Sequence, residues 1–212
     1  MIITKTPYRI SFFGGGSDYP IWYKKFGGSV LSTTIDKYIY ISCRELPPFF
    51  DHKYRIVWSK IENVKTIDEI KHLTVRKLIK YNKIKSGLEI HYDGDLPARS
   101  GMGSSSSFSV GLMRALSNYQ HKDIKGINLA YKTIPFEQKI MNETVGSQDQ
   151  VAASVGGFNR INFLKNEKII VKKILSNNLR RLNSNLLLLY TGIQRNADAV
   201  ASNYVHKLSN EK

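Results

Sequence analysis

Asp95-Leu96-Pro97-Ala98-Arg99-Ser100-Gly101-Met102-Gly103-Ser104-Ser105-Ser106-Ser107 is the stretch on which the reading of the fold turns. Just before it, Leu88, Ile90 and Tyr92 alternate with Glu89, His91 and Asp93, the period of a strand with one wet face. Just after it, Phe108, Leu112, Leu116 and Tyr119 recur at helical spacing, so a helix over 105–119 opens in a run of serines. Glycines between a strand and a helix let the backbone approach a ligand closely. Free amides at the helix N-terminus, together with the helix dipole, favour an anion there. Serine hydroxyls of the first turn can reach phosphate oxygens or Mg²⁺. A flexible Gly/Ser linker is the competing reading, and the position between strand and amphipathic helix argues against it. No Gly-Lys-Ser/Thr follows at the required spacing, so this is not a Walker A loop, nor is it a dinucleotide fingerprint.

Working outward, Ile2–Phe13 is rich in β-branched and aromatic residues and runs into Gly14-Gly15-Gly16, a strand ending in a glycine turn. Further strands are expected at 37–46, 55–59, 88–92, 158–163, 168–175 and 186–190. Besides 105–119, helices are expected over 68–81, with Ile70, Leu73, Leu78 and Tyr81 as its buried stripe, over 127–142, and over 194–208. Pro135 falls inside the 127–142 pattern and should kink or split it. This mixed order of strands and helices indicates an α+β fold with a largely antiparallel sheet.

The chain has 212 residues, with 32 Lys+Arg against 17 Asp+Glu and a net charge of +15. Ten of the basic residues crowd between Lys53 and Lys85 against three acids, Glu62, Asp68 and Glu69. A polyanionic partner such as nucleic acid is one reading; a lysine-rich surface around phosphate-bearing small molecules is the other. No nucleic-acid motif and no aromatics interleaved with arginine support the first. Cys43, the single cysteine, excludes an internal disulfide framework and a multi-cysteine metal site. His52, His72, His91, His121 and His206 show no paired metal spacing. Without a signal-like N-terminus or a run of ~20 apolar residues, a cytoplasmic location is expected.

Three segments, in order, carry a resemblance to a known family. Pro97-x-x-x-Gly101-Met102-Gly103-Ser104-Ser105-Ser106 resembles the phosphate-binding second motif of the GHMP kinases. Thr6-Pro7-Tyr8-Arg9-Ile10-Ser11-Phe12-Phe13-Gly14-Gly15-Gly16-Ser17-Asp18-Tyr19 looks like their first motif, and Val145-Gly146-Ser147-Gln148-Asp149-Gln150 like the segment carrying the catalytic aspartate. Gly28 to Tyr38, Gly-Ser-Gln-Asp-Gln, and Tyr190-Thr191-Gly192-Ile193-Gln194-Arg195 are similar to the heptose kinases within the family. That likeness implies ATP-dependent phosphorylation of the anomeric hydroxyl of D-glycero-D-manno-heptose 7-phosphate, on the route to nucleotide-activated heptose for lipopolysaccharide or capsule. L-fucose or another hexose is the alternative acceptor. ATP, Mg²⁺ and a small sugar phosphate are the implied ligands; no membrane partner is implied, and a dimer is compatible with the sequence.

The resemblance also assigns roles. Asp149 would orient or deprotonate the sugar hydroxyl, and Arg9 would stabilise charge on the transferring phosphoryl or hold Asp149 ionised. Pro97, Arg99, Ser100, Gly101, Met102, Gly103, Ser104, Ser105 and Ser106 would cradle the nucleotide phosphates. Ser105 and Glu137 would hold Mg²⁺, with Glu143 a competitor for the second role. Gly14, Gly15, Gly16, Ser17, Asp18 and Gln148 would meet the sugar, and Arg99, Lys37 and Arg195 are candidates for its 7-phosphate.

Tyr8 stands where many members of the family have glycine, and four serines replace the commoner Ser-Ser-Ala. The family's third glycine-rich motif has no counterpart after Gly157. The expectation is therefore one whole nucleotide- and sugar-binding domain over 1–180, followed over 181–212 by the start of a ferredoxin-like second domain. On that expectation the chain is truncated, and it is either an active kinase or an inactive, ligand-binding piece of the same lineage.

Overall fold

The computed structural model describes residues 1–98, 100–189, 191, 192, 201 and 205. Its seven-stranded sheet is built around one long strand. Strand β1 (Ile2–Phe13) is followed by helix α1 (Pro20–Phe26) and then by β2 (Gly28–Glu45). The Ile39–Glu45 half of β2 pairs antiparallel with β5 (Leu88–Gly94), and its Gly28–Thr33 half with β6 (Phe158–Phe163). Beyond β5 lie β3 (Tyr54–Val57), parallel to it, and β4 (Ile61–Val64); beyond β6 lies β7 (Ile169–Lys173). On its other side β2 pairs antiparallel with β1. The expected α+β class and largely antiparallel sheet hold.

One face of the sheet is covered by α2 (Leu73–Tyr81), α3 (Ser104–Tyr119), α4 (Ile127–Pro135) and α5 (Gln148–Val155); α6 (Leu179–Ser184) is a short, exposed helix further on. Helix α3 is the central one. Phe108, Leu112 and Leu116 are buried as their spacing requires, in a core with Tyr8, Ile39, Ile41, Leu78 and Ile90. The Thr4 hydroxyl donates to the carbonyl of Gly111 (3.1 Å) and the Ser107 hydroxyl to that of Pro7 (2.9 Å), fastening α3 to β1. A second cluster, with Tyr23, Val30, Ile134, Val151, Ile161 and Phe163, supports α4 and α5.

Several expectations are corrected. The helix over 68–81 is broken: a 3-10 turn covers Ile67–Glu69 and α2 starts only at Leu73. The Glu62 carboxylate, arriving from β4, accepts the backbone N–H of Lys71 (2.5 Å) and of His72 (3.2 Å), which draws those amides out of the helical ladder. Its buried face is Val75, Leu78 and Ile79, while Leu73 is exposed. Pro135 does end α4, and the chain continues as a π-helical turn over Phe136–Met141, as expected where a proline removes a ladder donor. Leu186–Leu189 are exposed and form no strand. Of the helix expected over 194–208, only Ala201 and Val205 are described, both helical. Tyr190, Arg99 and Arg195 also lie outside the described residues. No described helix is long and apolar enough to cross a membrane.

Candidate active site

The β1–β2 ladder slips between Pro7 and Arg9, a bulge that re-aims the chain where it passes the serine-rich loop. Beyond it the Arg9 amide donates to the Met102 carbonyl (3.1 Å), and the guanidinium turns to the N-terminus of α5. There Arg9 Nε and Nη2 bond Asp149 Oδ1 and Oδ2, both at 2.6 Å, while Nη1 donates to the Gly101 carbonyl (3.0 Å). Burial opposes the Arg9 charge, but the Asp149 carboxylate outweighs it, so the guanidinium holds its proton more tightly than usual. Asp149 sits in the first turn of α5, the end of a helix that favours negative charge. Both side chains keep some solvent contact, 15% and 23%.

Gly103 makes this approach possible. It caps α3 at φ +74°, and a Cβ there would lie 3.1 Å from Arg9 Cγ and 3.4 Å from Asp149 Oδ2. With glycine at that position, α3 has no side-chain cap, in keeping with a terminus that presents its amides to a ligand. Alongside lies an open cleft of about 470 Å³, walled by Arg9–Gly15, Gly101, Met102 and Gln148. Gly14 and Gly15 are exposed on it, whereas Gly16 is buried. Gln148 Oε1 is buried without a hydrogen-bond partner among the described residues.

Two of the residues expected to meet the sugar, Asp18 and Ser17, bond the backbone of the glycine turn and of its neighbours. Asp18 is 1% exposed; its Oδ1 accepts the Gly16 amide and its Oδ2 the Gln148 amide, each at 3.1 Å. Burial, then the nearby Asp149 charge, pushes its carboxyl up to about 6. The Ser17 hydroxyl donates to the Gly14 carbonyl (2.7 Å) and accepts from the Ser29 amide (3.1 Å), tying the glycine turn together. Both residues serve the backbone because the chain doubles back sharply here and its amides need acceptors.

Glu137 is wholly buried at the start of the π-helical turn. Its Oε2 accepts from Ser106 Oγ (2.8 Å) and from Gln150 Nε2, while Oε1 lacks a partner among the described residues. Burial pushes its carboxyl up to about 7 against the pull of Ser109, Gln150 and Ser106, with Glu143 raising it further. The serine in contact is Ser106; Ser105, its neighbour in the first turn of α3, is exposed. Ser106 and Ser109 are one turn apart and share the inward face of α3. An orphaned carboxylate oxygen beside serine hydroxyls is a hard donor set and fits Mg²⁺. No described group of three or more His, Cys, Asp or Glu could hold a metal, so further ligands would come from water and phosphate.

The remaining loop residues lie near this centre. Pro97 is exposed, Ser100 carries a buried Oγ without a partner among the described residues, and Ser104 begins α3 half-buried. Lys37 does not line the cleft. Sequence reasoning missed Gln150 and Gly146; the helical spacing of Ser106 and Ser109 was the legible signal for the Glu137 contact.

The family model described as GHMP kinases N terminal domain matches residues 68–157. The chain is 30% identical to the D-glycero-alpha-D-manno-heptose 7-phosphate kinase of Campylobacter jejuni, across all of this chain and 66% of that protein. It is 24% identical to a galactokinase of Pyrococcus furiosus, across 97% of this chain and 57% of that one. Its fold matches the crystal structure of a D-glycero-D-manno-heptose 1-phosphate kinase from Bacteroides thetaiotaomicron with a TM-score of 0.76, covering 84% of this chain and 61% of the other at 24% identity. The chain therefore spans less than two thirds of the length of these relatives.

Proposed function

The chain belongs to the GHMP kinase family, and on that premise we propose that it houses the nucleotide and sugar sites of a cytoplasmic sugar-phosphate kinase. The reaction is transfer of the γ-phosphoryl group of ATP to the anomeric hydroxyl of D-glycero-D-manno-heptose 7-phosphate, giving the 1,7-bisphosphate for nucleotide-heptose synthesis. Residues 1–180 form the binding domain in this reading, and 181–212 begin the next. The observation that carries it is the bidentate Arg9–Asp149 pair at the meeting point of the cleft, the glycine loop and the N-terminus of α3.

Phosphoryl transfer asks a protein for alignment and charge stabilisation more than for covalent work. The sugar lies in the cleft against Gly14, Gly15 and Gln148. Asp149 accepts the hydrogen bond of the anomeric hydroxyl, aims its oxygen and receives its proton as that oxygen bonds phosphorus. The bond to the β-phosphate oxygen breaks and ADP leaves. Arg9 fixes the carboxylate and adds positive charge beside the transferring group. The amides and hydroxyls from Ser100 to Ser106 hold the phosphates. Glu137 and Ser106, with Ser105 beside them, would hold Mg²⁺, which when bound supplies charge neutralisation to the phosphates.

Phosphorus-31 NMR of the chain with Mg-ATP and the heptose 7-phosphate tests this, repeated with Asp149→Ala. An anomeric phosphate signal from the wild type, growing about 10² to 10⁴ times more slowly in the variant, is expected. No such signal from the wild type would sink the claim for this acceptor, and L-fucose then becomes the next substrate to try. Sugar and ATP binding without turnover would leave a ligand-binding piece of the same lineage.

A further inference from the structure

We propose that Tyr8 is a positioning residue for the nucleotide: its phenol fastens the entry of the loop over 97–103, so that the loop is already set when the phosphates arrive. The Tyr8 hydroxyl donates to the Leu96 carbonyl (3.1 Å), the last group before Pro97. Next to it the Asp95 amide donates to the Tyr38 carbonyl (3.0 Å), and Asp95 Oδ2 accepts the Tyr38 amide (2.8 Å). The far end is held by Arg9, through the Met102 and Gly101 carbonyls, and by the Ser107 hydroxyl on the Pro7 carbonyl. Pro7, Tyr8 and Arg9 are consecutive, so one bulged stretch of β1 grips both ends of the loop. Between those ends, Pro97, Ala98 and Ser100 make no hydrogen bond to another part of the fold among the described residues.

Tyr8 is closed off from water, in the core that carries α3. Burial, then the neighbouring Tyr92 phenol, pushes its hydroxyl up to about 12, so it remains a donor at neutral pH. Gly94 leaves the space for it, since a Cβ there would sit 2.8 Å from Tyr8 Oη. A glycine at position 8 could not make this bond. A loop that moves freely loses that freedom when a ligand binds, and the loss weakens affinity. Holding both ends beforehand removes part of it. Asp149 is fastened separately, by Arg9, so Tyr8 should govern nucleotide affinity and leave the aim at the sugar alone.

The test uses the full chain with Tyr8→Phe, Gly94→Ala and the two combined. Phenylalanine keeps the ring and removes only the hydroxyl. Alanine at 94 keeps the hydroxyl and displaces it, and it decides the matter if Tyr8→Phe fails to fold. In calorimetry with Mg-ATP, each single variant should weaken binding about three- to tenfold, the worth of one hydrogen bond. The combination should bind no worse than either alone, since without the hydroxyl the added methyl displaces nothing. The carbon-13 NMR signal of the Leu96 carbonyl should shift in both single variants. The Arg9 Nε–H signal in proton–nitrogen NMR should stay put, because the far end is untouched. With D-glycero-D-manno-heptose 7-phosphate as acceptor, KM for ATP should rise by the same factor and kcat should stay within about twofold. Unchanged ATP affinity would leave Tyr8 a core residue only, and losses that add up in the combination would mean two unrelated disturbances; either overturns the proposal. The inference rests on the reading of this loop as the nucleotide site. If the wild type binds no Mg-ATP, that reading fails and takes the proposal with it; if wild type and variants bind equally well, the proposal alone fails.

Discussion

A carboxyl group shut away from water keeps its proton to a higher pH, and Asp18 at about 6 is in that state. Its pKa in the unfolded chain is the ordinary one near 3.8, so the folded state binds the proton more tightly. The stability linked to this group is complete below the unfolded value and is lost as pH rises through about 6. Wild type should therefore gain on Asp18→Asn as pH falls from about 7.5 to 4.5, by roughly 2 kcal/mol. Urea denaturation of both proteins at several pH values checks this, and the comparison cancels the other titrating groups, Glu137 included. A difference that does not vary with pH would mean that Asp18 ionises normally in the fold. At this scale the sequence was legible where a motif fixes the chemistry. Arg9 and Asp149 meet as their motifs imply, 140 residues apart in the chain. The backbone hydrogen bonds of Ser17 and Asp18 were not, because a side chain's direction depends on which backbone amides nearby lack acceptors.

Elements were legible where their period runs unbroken. Strand β1, the β5–loop–α3 unit and the break at Pro135 follow directly from alternation, helical spacing and a missing amide. The first half of β2 lacks clean alternation because it is flanked by β1 and β6 and mixes serines and threonines with its apolar residues. Helix α5 begins in Gly-Ser-Gln, which reads as loop, and has only eight residues in which to show a period. The break before α2 was out of reach, since it depends on Glu62 from another strand. The loop entering α3 gives a prediction at this scale. Gly101 and Gly103 both have positive φ, at +77° and +74°, but a Cβ would meet neighbours within 4 Å only at Gly103. Alanine at 101 should cost about 1 kcal/mol in backbone strain and leave the Arg9–Asp149 pair in place. Alanine at 103 should cost about 1–3 kcal/mol, because it also presses on Arg9, and should lower turnover as the pair loosens. Denaturant midpoints read the first effect, and the Arg9 Nε–H signal separates the two variants. Equal costs with an unmoved signal would show that the loop yields and Arg9 does not.

At the scale of the whole molecule the charge of +15 asks for an explanation that the site can give only in part. Arg9 is committed to Asp149, and no other Lys or Arg among the described residues lines the cleft. Lys80 with Asp68, Lys125 with Asp123 and Lys24 with Glu167 are exposed ion pairs of the kind that contribute little to stability. A diffuse basic surface and a built phosphate site differ in how they respond to salt. Contacts spread over a DNA backbone release counterions, so an interaction with six or more phosphates weakens by about 10³-fold or more between about 50 and 200 mM salt. A nucleotide seated on the amides of a helix N-terminus engages few phosphates, and fixed dipoles hold it at short range, where screening acts weakly. Titrations of Mg-ATP and of a random DNA duplex over that salt range should diverge: ATP affinity falling by about tenfold or less, DNA affinity collapsing. If DNA binding instead persisted while ATP failed to bind at any salt, the basic surface would be the functional one. The cleft beside Arg9 would then be a remnant of the family's chemistry.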